Sequence, residues 1–274
     1  MSDRGSRACV LAVAGLDPSG GAGLLADAEA IAAIGARPLC VPTALTVQTK
    51  ARARELIHVE VNYLREATLA LLEEEPVRAI KLGMLGTPEA ARLLAELLPG
   101  ELPLVIDPVL AASSGAPLFR GAPEELRESL GPLWSCALLT PNLPEALALL
   151  GEGERPRVGA LLGGSDFPRP APDLEQLARA LLEQGAGAVL LKGGHAAGAE
   201  AADLLAREGG QTLRFASPRL LGPRRLSLGA RGTGCRLASA IAAGLALGTS
   251  LEDAIEAGRK FVGGYLVREG REPG

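Results

Sequence analysis

Cys9-Val10-Leu11-Ala12-Val13-Ala14 runs directly into Gly15-Leu16-Asp17-Pro18-Ser19-Gly20-Gly21-Ala22-Gly23, and that turn into an alanine-rich stretch ending at Ile34; the fold is read from this segment. An unbroken apolar run without helical spacing predicts a buried strand, and glycine, proline and serine predict a turn. Apolar spacing near 3.6 from Gly23 to Ile34 predicts a helix. The glycines and Ser19 ahead of that helix let a ligand approach the main chain. Their spacing is neither GxGxxG nor GxxxxGK[ST], so neither a Rossmann dinucleotide site nor a Walker phosphate loop is indicated.

The same unit recurs along the chain. Strands are predicted at Cys9 to Ala14, Leu39 to Leu45, Arg78 to Leu82, Leu104 to Ile106, Ala137 to Leu139 and Ala188 to Leu191. Helices are predicted at Gly23 to Ile34, Val61 to Glu74, Pro88 to Leu98, Pro144 to Leu150, Leu174 to Glu183, Cys235 to Leu247 and Leu251 to Val267. This alternation is the pattern of an α/β protein layered around a mostly parallel sheet. Gly163 to Pro172 reads as a surface loop inside that pattern, and the tail from Arg268 as a fraying end.

A chain of 274 residues, 47% hydrophobic and 22% charged, is of ordinary globular composition and long enough for one large core. No apolar run approaches the roughly 20 residues that span a bilayer, and Met1-Ser2-Asp3-Arg4-Gly5 lacks the regions of a signal peptide, so a cytoplasmic protein is expected. Cys9, Cys40, Cys136 and Cys235 are far apart with no CxxC pair, which argues against a disulfide framework or a zinc site. A net charge of −4 with 3% aromatic residues and no basic run leaves nucleic acid little to bind.

Candidate functional residues stand where predicted strands end. Asp107 follows Leu104-Val105-Ile106, at the edge where ligands of open α/β sheets collect. Thr140-Pro141-Asn142-Leu143-Pro144-Glu145 presents an amide and a carboxylate at a helix start, where Asn142 also suits an N-cap and Glu145 a first-turn charge. Lys192, in Leu190-Leu191-Lys192-Gly193-Gly194-His195, adds a cation at a third strand end, with His195 in the turn after it. Carboxylates can hold Mg²⁺, and a lysine can meet a transferring phosphate as a point charge. Gly232-Thr233-Gly234-Cys235 opens an apolar helix whose free N–H groups attract anions, and the same helix end is expected to lower the pKa of the Cys235 thiol. Met84, in Lys81-Leu82-Gly83-Met84-Leu85, offers a soft surface to a flat ring or fills a core, and Gln48 can read a heterocycle through paired hydrogen bonds or stand in an exposed loop.

Taken in order, Ala14 to Gly23, Thr43 to Thr49, Ile80 to Leu85, Asp107 to Val109, Thr140 to Glu145, Lys192 to His195 and Gly232 to Cys235 resemble the motifs of the hydroxymethylpyrimidine and phosphomethylpyrimidine kinases of thiamin biosynthesis, members of the ribokinase-like superfamily. The resemblance implies one ribokinase-like domain over residues 1–274, helices on both faces of the sheet, and assembly as a homodimer. It implies ATP, Mg²⁺ and γ-phosphoryl transfer to 4-amino-5-hydroxymethyl-2-methylpyrimidine, then to its monophosphate.

By position, the resemblance makes Gln48 a partner of the aminopyrimidine, flanks the ring with Met84 and Val109, and closes the pocket with the main chain near Gly15 and Asp17. It makes Cys235 the base, gives the anion hole to the amides of Gly232, Thr233, Gly234 and Cys235, and assigns Asp107 and Glu145 to the metal. Asn142 and Lys192 then meet the ATP phosphates. Two residues depart from the family pattern: Arg231 stands where a histidine is usual and Arg236 where a threonine is usual. The added charge favours a charged acceptor or replaces a phosphate contact, or else one or both arginines point to solvent or pair with acidic neighbours. Ala111-Ala112-Ser113-Ser114-Gly115 also lacks the usual lysine and acidic residue. A pyridoxine or pyridoxal kinase and a non-catalytic pyrimidine-binding regulator are the competing readings.

Overall fold

The computed structural model describes residues 7–49, 53–112, 115–159, 174–193, 200–218 and 231–269; the side chains of residues 48, 53, 54 and 152–159 are also outside the description. Nine strands form one sheet: β1 (Cys9–Leu16), β2 (Arg37–Gln48), β3 (Ala53–His58), β4 (Val77–Leu82), β5 (Leu104–Ile106), β6 (Leu138–Leu139), β7 (Ala188–Leu191), β8 (Glu200–Arg207) and β9 (Thr212–Pro218). Their spatial order is β3-β2-β1-β4-β5-β6-β7-β8-β9. The six strands from β2 to β7 in that order are parallel. β3 pairs antiparallel with β2 at one edge, and β8 and β9 add antiparallel strands at the other.

The helices are α1 (Gly23–Ile34), α2 (Val61–Glu74), α3 (Pro88–Leu97), α4 (Pro123–Leu130), α5 (Pro132–Cys136), α6 (Leu143–Gly159), α7 (Leu174–Glu183), α8 (Thr233–Ala246) and α9 (Leu251–Glu269). Strand alternation divides the core in two. Val10, Ala12 and Ala14 of β1 pack with Leu24 and Ile31 of α1, Leu237 and Ile241 of α8 and Ile255 of α9. Cys9, Leu11 and Val13 face Leu64 of α2, Leu94 of α3, Leu130 of α4, Trp134 of α5, Leu149 of α6 and Leu181 of α7. Helices therefore cover both faces, as a parallel sheet requires.

Local chemistry explains several boundaries. The Thr87 hydroxyl accepts the Ala90 N–H at the start of α3, where Pro88 stands in the first turn. Ser250 does the same for Asp253 at the start of α9. Gly35, with φ 113°, closes α1 in a left-handed conformation. A break at Gly151 (φ 74°) kinks α6, so the predicted helix ending at Leu150 matches its first half.

Three strands and two helices were not expected: β3, β8 and β9, all antiparallel, and the short α4 and α5. α9 continues to Glu269, so the tail expected to fray from Arg268 is helical for those first two residues. The loop predicted at Gly163 to Pro172 lies outside the described residues. Among the described residues no helix is long and apolar enough to cross a membrane.

From β1 the chain moves to β2 on one side, and after β3 and α2 returns to β4 on the other side of β1. This reversal is a topological switch point, where a crevice opens at the carboxyl ends of the strands. Gly15 stands at the carboxyl end of β1 and Asp17 follows it, Met84 follows β4, Asp107 follows β5, Asn142 follows β6 and Lys192 follows β7.

Candidate active site

Lys192 is the centre of the charge cluster on this rim. Its N–H donates to the Pro141 carbonyl at 2.9 Å, which aligns the turn after β7 with the turn after β6. The Lys192 ammonium lies 2.8 Å from Asp107 Oδ1 and 3.9 Å from Glu145 Oε2. Burial opposes the lysine's charge, but Asp107 and then Glu145 hold its pKa above the usual lysine range. Asp107 is itself buried; burial works against its charge, while Lys192 and then Lys81 hold its carboxyl below the usual range.

Glu145 is fixed by a reciprocal cap. Its carboxylate accepts the Asn142 N–H at 2.8 Å, and the Asn142 side-chain oxygen accepts the Glu145 N–H at 2.9 Å. Burial pushes the Glu145 carboxyl up to about 7 against the pull of Lys192, with Asp107 adding to the rise. Asn142 is thus the N-cap the sequence allowed; its side-chain oxygen is engaged by the helix, and its amide nitrogen is the part available to a ligand.

The amino end of α8 enters the cluster from across the crevice. Gly232 caps the helix in a left-handed conformation (φ 68°), and the first intrahelical bond runs from Arg236 N–H to the Gly232 carbonyl at 3.0 Å. The N–H groups of Thr233, Gly234 and Cys235 precede that bond and have no partner within the helix. A Cβ on Gly234 would lie 2.8 Å from Lys192 Nζ and 3.8 Å from both Asp107 carboxylate oxygens, so the helix start, the cation and the carboxylate share one small space.

Cys235 lies in the same space, half-buried, and its thiol hydrogen-bonds the Asp107 carboxylate. The expectation that the helix end lowers its pKa does not hold. Burial pushes the thiol up to about 12, with Asp107 and Asp27 adding to the rise, against the pull of Lys81 and a hydrogen bond from the Gly23 main chain. Desolvation and two nearby carboxylates outweigh the helix end.

Lys81 was not singled out from the sequence. Its side chain is fully buried beneath α1 and α8, with both Asp27 carboxylate oxygens 2.9 Å from its ammonium. Asp27 also accepts the Ser239 hydroxyl at 2.8 Å. The available signal was a lone charge in each of two apolar stretches, Ile80-Lys81-Leu82 and Leu24-Leu25-Ala26-Asp27, since buried opposite charges must find each other.

The carboxyl end of β1 and the turns after β1 and β4 form the neighbouring part of the rim. A Cβ on Gly15 would sit 2.5 Å from the Met84 terminal carbon, so the thioether lies directly on this backbone. Met84 is 7% exposed, and its carbonyl accepts the Thr43 hydroxyl at 2.6 Å. Asp17 is buried and its carboxylate accepts both the N–H and the hydroxyl of Ser19, at 2.9 and 2.7 Å. Val109 is half-buried, turned over Pro108 by a bond from its N–H to the Asp107 carbonyl at 2.8 Å. Gln48 ends β2 with its side chain outside the description, and Gly194, His195, Ser113 and Ser114 lie outside the described residues.

The two arginines that depart from the family pattern differ in role. Arg231 reaches toward the turn after β1, donating to the Thr49 carbonyl at 2.9 Å and approaching Asp17 Oδ2 at 3.9 Å. Arg236 turns away from the Lys192 cluster and is bonded on all sides. The residue is 3% exposed, its guanidinium paired with Glu29 at 2.7 and 3.0 Å and bonded to the carbonyls of Gly20, Gly21 and Arg231. Those bonds use every N–H of the group, so of the two expectations for Arg236 the observed contacts match pairing with an acidic neighbour.

Mg²⁺ commonly takes one or two protein carboxylates and completes its shell with phosphate and water. Asp107 and Glu145, two hard oxygen donors converging on one ammonium, fit that use. Among the described residues no group of three His, Cys, Asp or Glu side chains converges to hold an ion by itself. A cavity of 510 Å³ lined by Leu72, Pro76, Arg78 and Leu97 lies at the amino-terminal edge of the sheet, away from this cluster.

Comparison with known proteins agrees with the geometry. A family model described as phosphomethylpyrimidine kinase matches residues 17–272. A hydroxymethylpyrimidine/phosphomethylpyrimidine kinase of Streptomyces coelicolor is 37% identical over 260 residues, covering 94% of this chain and 88% of the relative. A thiamine biosynthesis bifunctional protein of Geobacter sulfurreducens is 37% identical over 259 residues, 93% of this chain, but the chain spans only 48% of that protein. Among solved structures, the pyridoxal kinase of Staphylococcus aureus in complex with ADP superposes with a TM-score of 0.75 at 27% identity, covering 94% of this chain and 87% of that one. On the match over nearly its whole length, and on the ribokinase-like architecture it shares with these vitamin kinases, the chain belongs to the phosphomethylpyrimidine kinase family.

Proposed function

We propose that this protein, as a single kinase domain, transfers the γ-phosphoryl group of ATP to the hydroxymethyl group of 4-amino-5-hydroxymethyl-2-methylpyrimidine and then phosphorylates the monophosphate to the diphosphate, in thiamin biosynthesis. The observation that carries this reading is the meeting of the α8 amino terminus with Lys192 and Asp107 around Gly234. Phosphoryl transfer through a loose transition state asks mainly for alignment and neutralisation of charge. The free amides of Thr233, Gly234 and Cys235 receive the anionic oxygens, and Lys192 supplies a point charge beside them. Bound at Asp107 and Glu145, Mg²⁺ would neutralise phosphate charge; the carboxylates' part is to hold their oxygens toward it. Asn142 contributes its side-chain amide to the nucleotide phosphates.

The acceptor ring lies between Met84 and Val109, with Gln48 bonding its amino and ring nitrogens and the main chain near Gly15 and Asp17 closing the pocket. Cys235 faces the hydroxyl. With its thiol protonated at rest and bonded to Asp107, it acts late: as the new P–O bond forms and the hydroxyl becomes acidic, sulfur accepts that proton while its own passes to the carboxylate. Arg231, beside Asp17, stands on the acceptor side and is assigned to the phosphate of the monophosphate.

Leu45 and Ile57, cross-strand partners, and Val47 beside them are 42%, 49% and 45% exposed on the β2–β3 ribbon, which supports assembly as a homodimer through this face. The deciding experiment is mass analysis of products after incubation with ATP, Mg²⁺ and the pyrimidine alcohol, with pyridoxal as competitor. Mono- and diphosphate of the pyrimidine are expected; phosphorylation of pyridoxal alone, or of neither compound, would overturn the reading.

A further inference from the structure

Arg236 stands apart from the charge cluster on Lys192 and yet is tied to both sides of the crevice. A helix-initial arginine would ordinarily be solvated, but this side chain is buried and stacked on Tyr265, its guanidinium carbon 4.0 Å from the ring centroid. Its partners come from four separate segments. Glu29 on α1 takes the Nε and one terminal N–H, at 3.0 and 2.7 Å. The carbonyls of Gly20 and Gly21, in the turn after β1, accept at 3.2 and 3.1 Å. The Arg231 carbonyl, which precedes the α8 cap, accepts at 3.2 Å and also takes the Tyr265 hydroxyl at 3.1 Å.

These carbonyls belong to the two turns between which the reaction takes place. The turn after β1 carries Asp17 and supplies the Gly23 main-chain bond to the Cys235 sulfur. The Arg231 to Gly232 segment sets the direction of the α8 amides. The two backbones are in contact: a Cβ on Gly232 would come within 2.3 Å of the Gly21 carbonyl oxygen. Glycine peptides have many alternative conformations, so a rigid fork bonded to both turns removes freedom that would otherwise blur their separation.

We propose that Arg236 is a positioning residue: by bonding the Gly20, Gly21 and Arg231 carbonyls at once, its guanidinium fixes the gap between the acceptor-side turn and the phosphate-binding start of α8. The inference rests on the kinase reading for its consequence on turnover, and on geometry alone for the clamp. Lysine at this position keeps the charge and can reach the Glu29 carboxylate, but lacks the planar fork that bonds the three carbonyls and stacks on Tyr265.

The test is Arg236→Lys, with Arg236→Met as a second variant, measured by steady-state kinetics and by amide hydrogen exchange of the substrate-free protein. Arg236→Lys is expected to remain folded with a lowered melting temperature, because buried carbonyls lose their donors, and to keep its KM for ATP within about twofold. Its kcat is expected to fall by about ten- to a hundredfold, the scale on which small misplacements act, and exchange is expected to accelerate selectively in residues 20–23 and 232–235. Parental kcat with parental exchange in Arg236→Lys would overturn the proposal, as would faster exchange spread evenly over the chain. If Arg236→Met does not fold, Arg236→Lys still decides. If the parent protein phosphorylates no pyrimidine, the kinase reading fails, while the exchange measurement decides the clamp independently.

Discussion

Lys192 and Asp107, 85 residues apart in the chain, meet with 2.8 Å between ammonium and carboxylate, and the main chain of Gly234 lies against both. The lysine thus keeps a buried carboxylate ionised and places positive charge beside the start of α8.

Lys192→Met removes both effects together. Turnover is expected to fall by about a hundredfold or more, the range seen when a preorganised charge-stabilising group is deleted. The melting temperature should fall as well, because Asp107 is left buried beside one fewer cation. Steady-state kinetics with a thermal melt checks this; an unchanged kcat would remove Lys192 from the phosphate site.

Glu145 gives a pH signature in the metal-free protein. Its carboxyl is pushed up to about 7 in the fold, above the ordinary carboxylate value of about 4.3 for an unfolded chain. Between those values the native state holds more of the proton than the unfolded state, so this group's contribution is present at low pH and is lost as pH rises toward 7. Glu145→Gln should therefore flatten the decline in stability across that window. Urea unfolding of parent and variant without Mg²⁺, at pH 5 and pH 7.5, measures it; an equal gap at both pH values would refute the assignment.

The buried pair beneath the site predicts a non-additive cycle. Lys81→Met strands the Asp27 carboxylate under α1 and α8 and should destabilise the protein by about 3–5 kcal/mol. Lys81→Met combined with Asp27→Leu removes the second charge and should recover much of that loss, leaving the Ser239 hydroxyl without its partner. Chemical denaturation of the single and double variants gives the coupling; additive losses would mean that the pair is not energetically linked.

Much of this architecture was legible because its parallel strands are buried on both faces and therefore appear as short apolar runs: the predicted Leu104 to Ile106 and Ala188 to Leu191 coincide with β5 and β7. β8 (Glu-Ala-Ala-Asp-Leu-Leu-Ala-Arg) was not legible, since its alanine and leucine content suits a helix and only pairing to β7 and β9 makes it a strand. The strand-end residues Asp107, Asn142 and Lys192 were legible for the same reason as the strands. Sequence left Arg236 between a phosphate contact and an acidic neighbour because it gives adjacency to Cys235 but not direction. One helical step turns a side chain by about 100°, which carries it from the crevice to the α1 and α9 side.

On the proposed kinase reading, Arg231, beside Asp17, is the residue assigned to the acceptor phosphate. Arg231→His should raise KM for the pyrimidine monophosphate by about tenfold, the lower end of a charged hydrogen bond's worth for a partly exposed group, and leave KM for the alcohol nearly unchanged. Separate kinetics of the two phosphorylation steps checks it. Equal changes for both acceptors would place Arg231 in the scaffold instead.

Cys235→Ala tests the relay most directly. A proton acceptor contributes on the order of a hundredfold to ten-thousandfold to such a reaction, so first-step turnover should fall within that range while ATP binding is retained. Because the resting thiol is held protonated, with its pKa pushed up to about 12, its alkylation at neutral pH should also be slow. The alkylation rate of the Cys235 peptide, followed by mass from pH 7 to 10, should climb steadily without levelling. A plateau near pH 8 would mean that the thiolate is already formed at rest, so that sulfur would give up its proton before the P–O bond forms instead of passing it to Asp107 during the transfer.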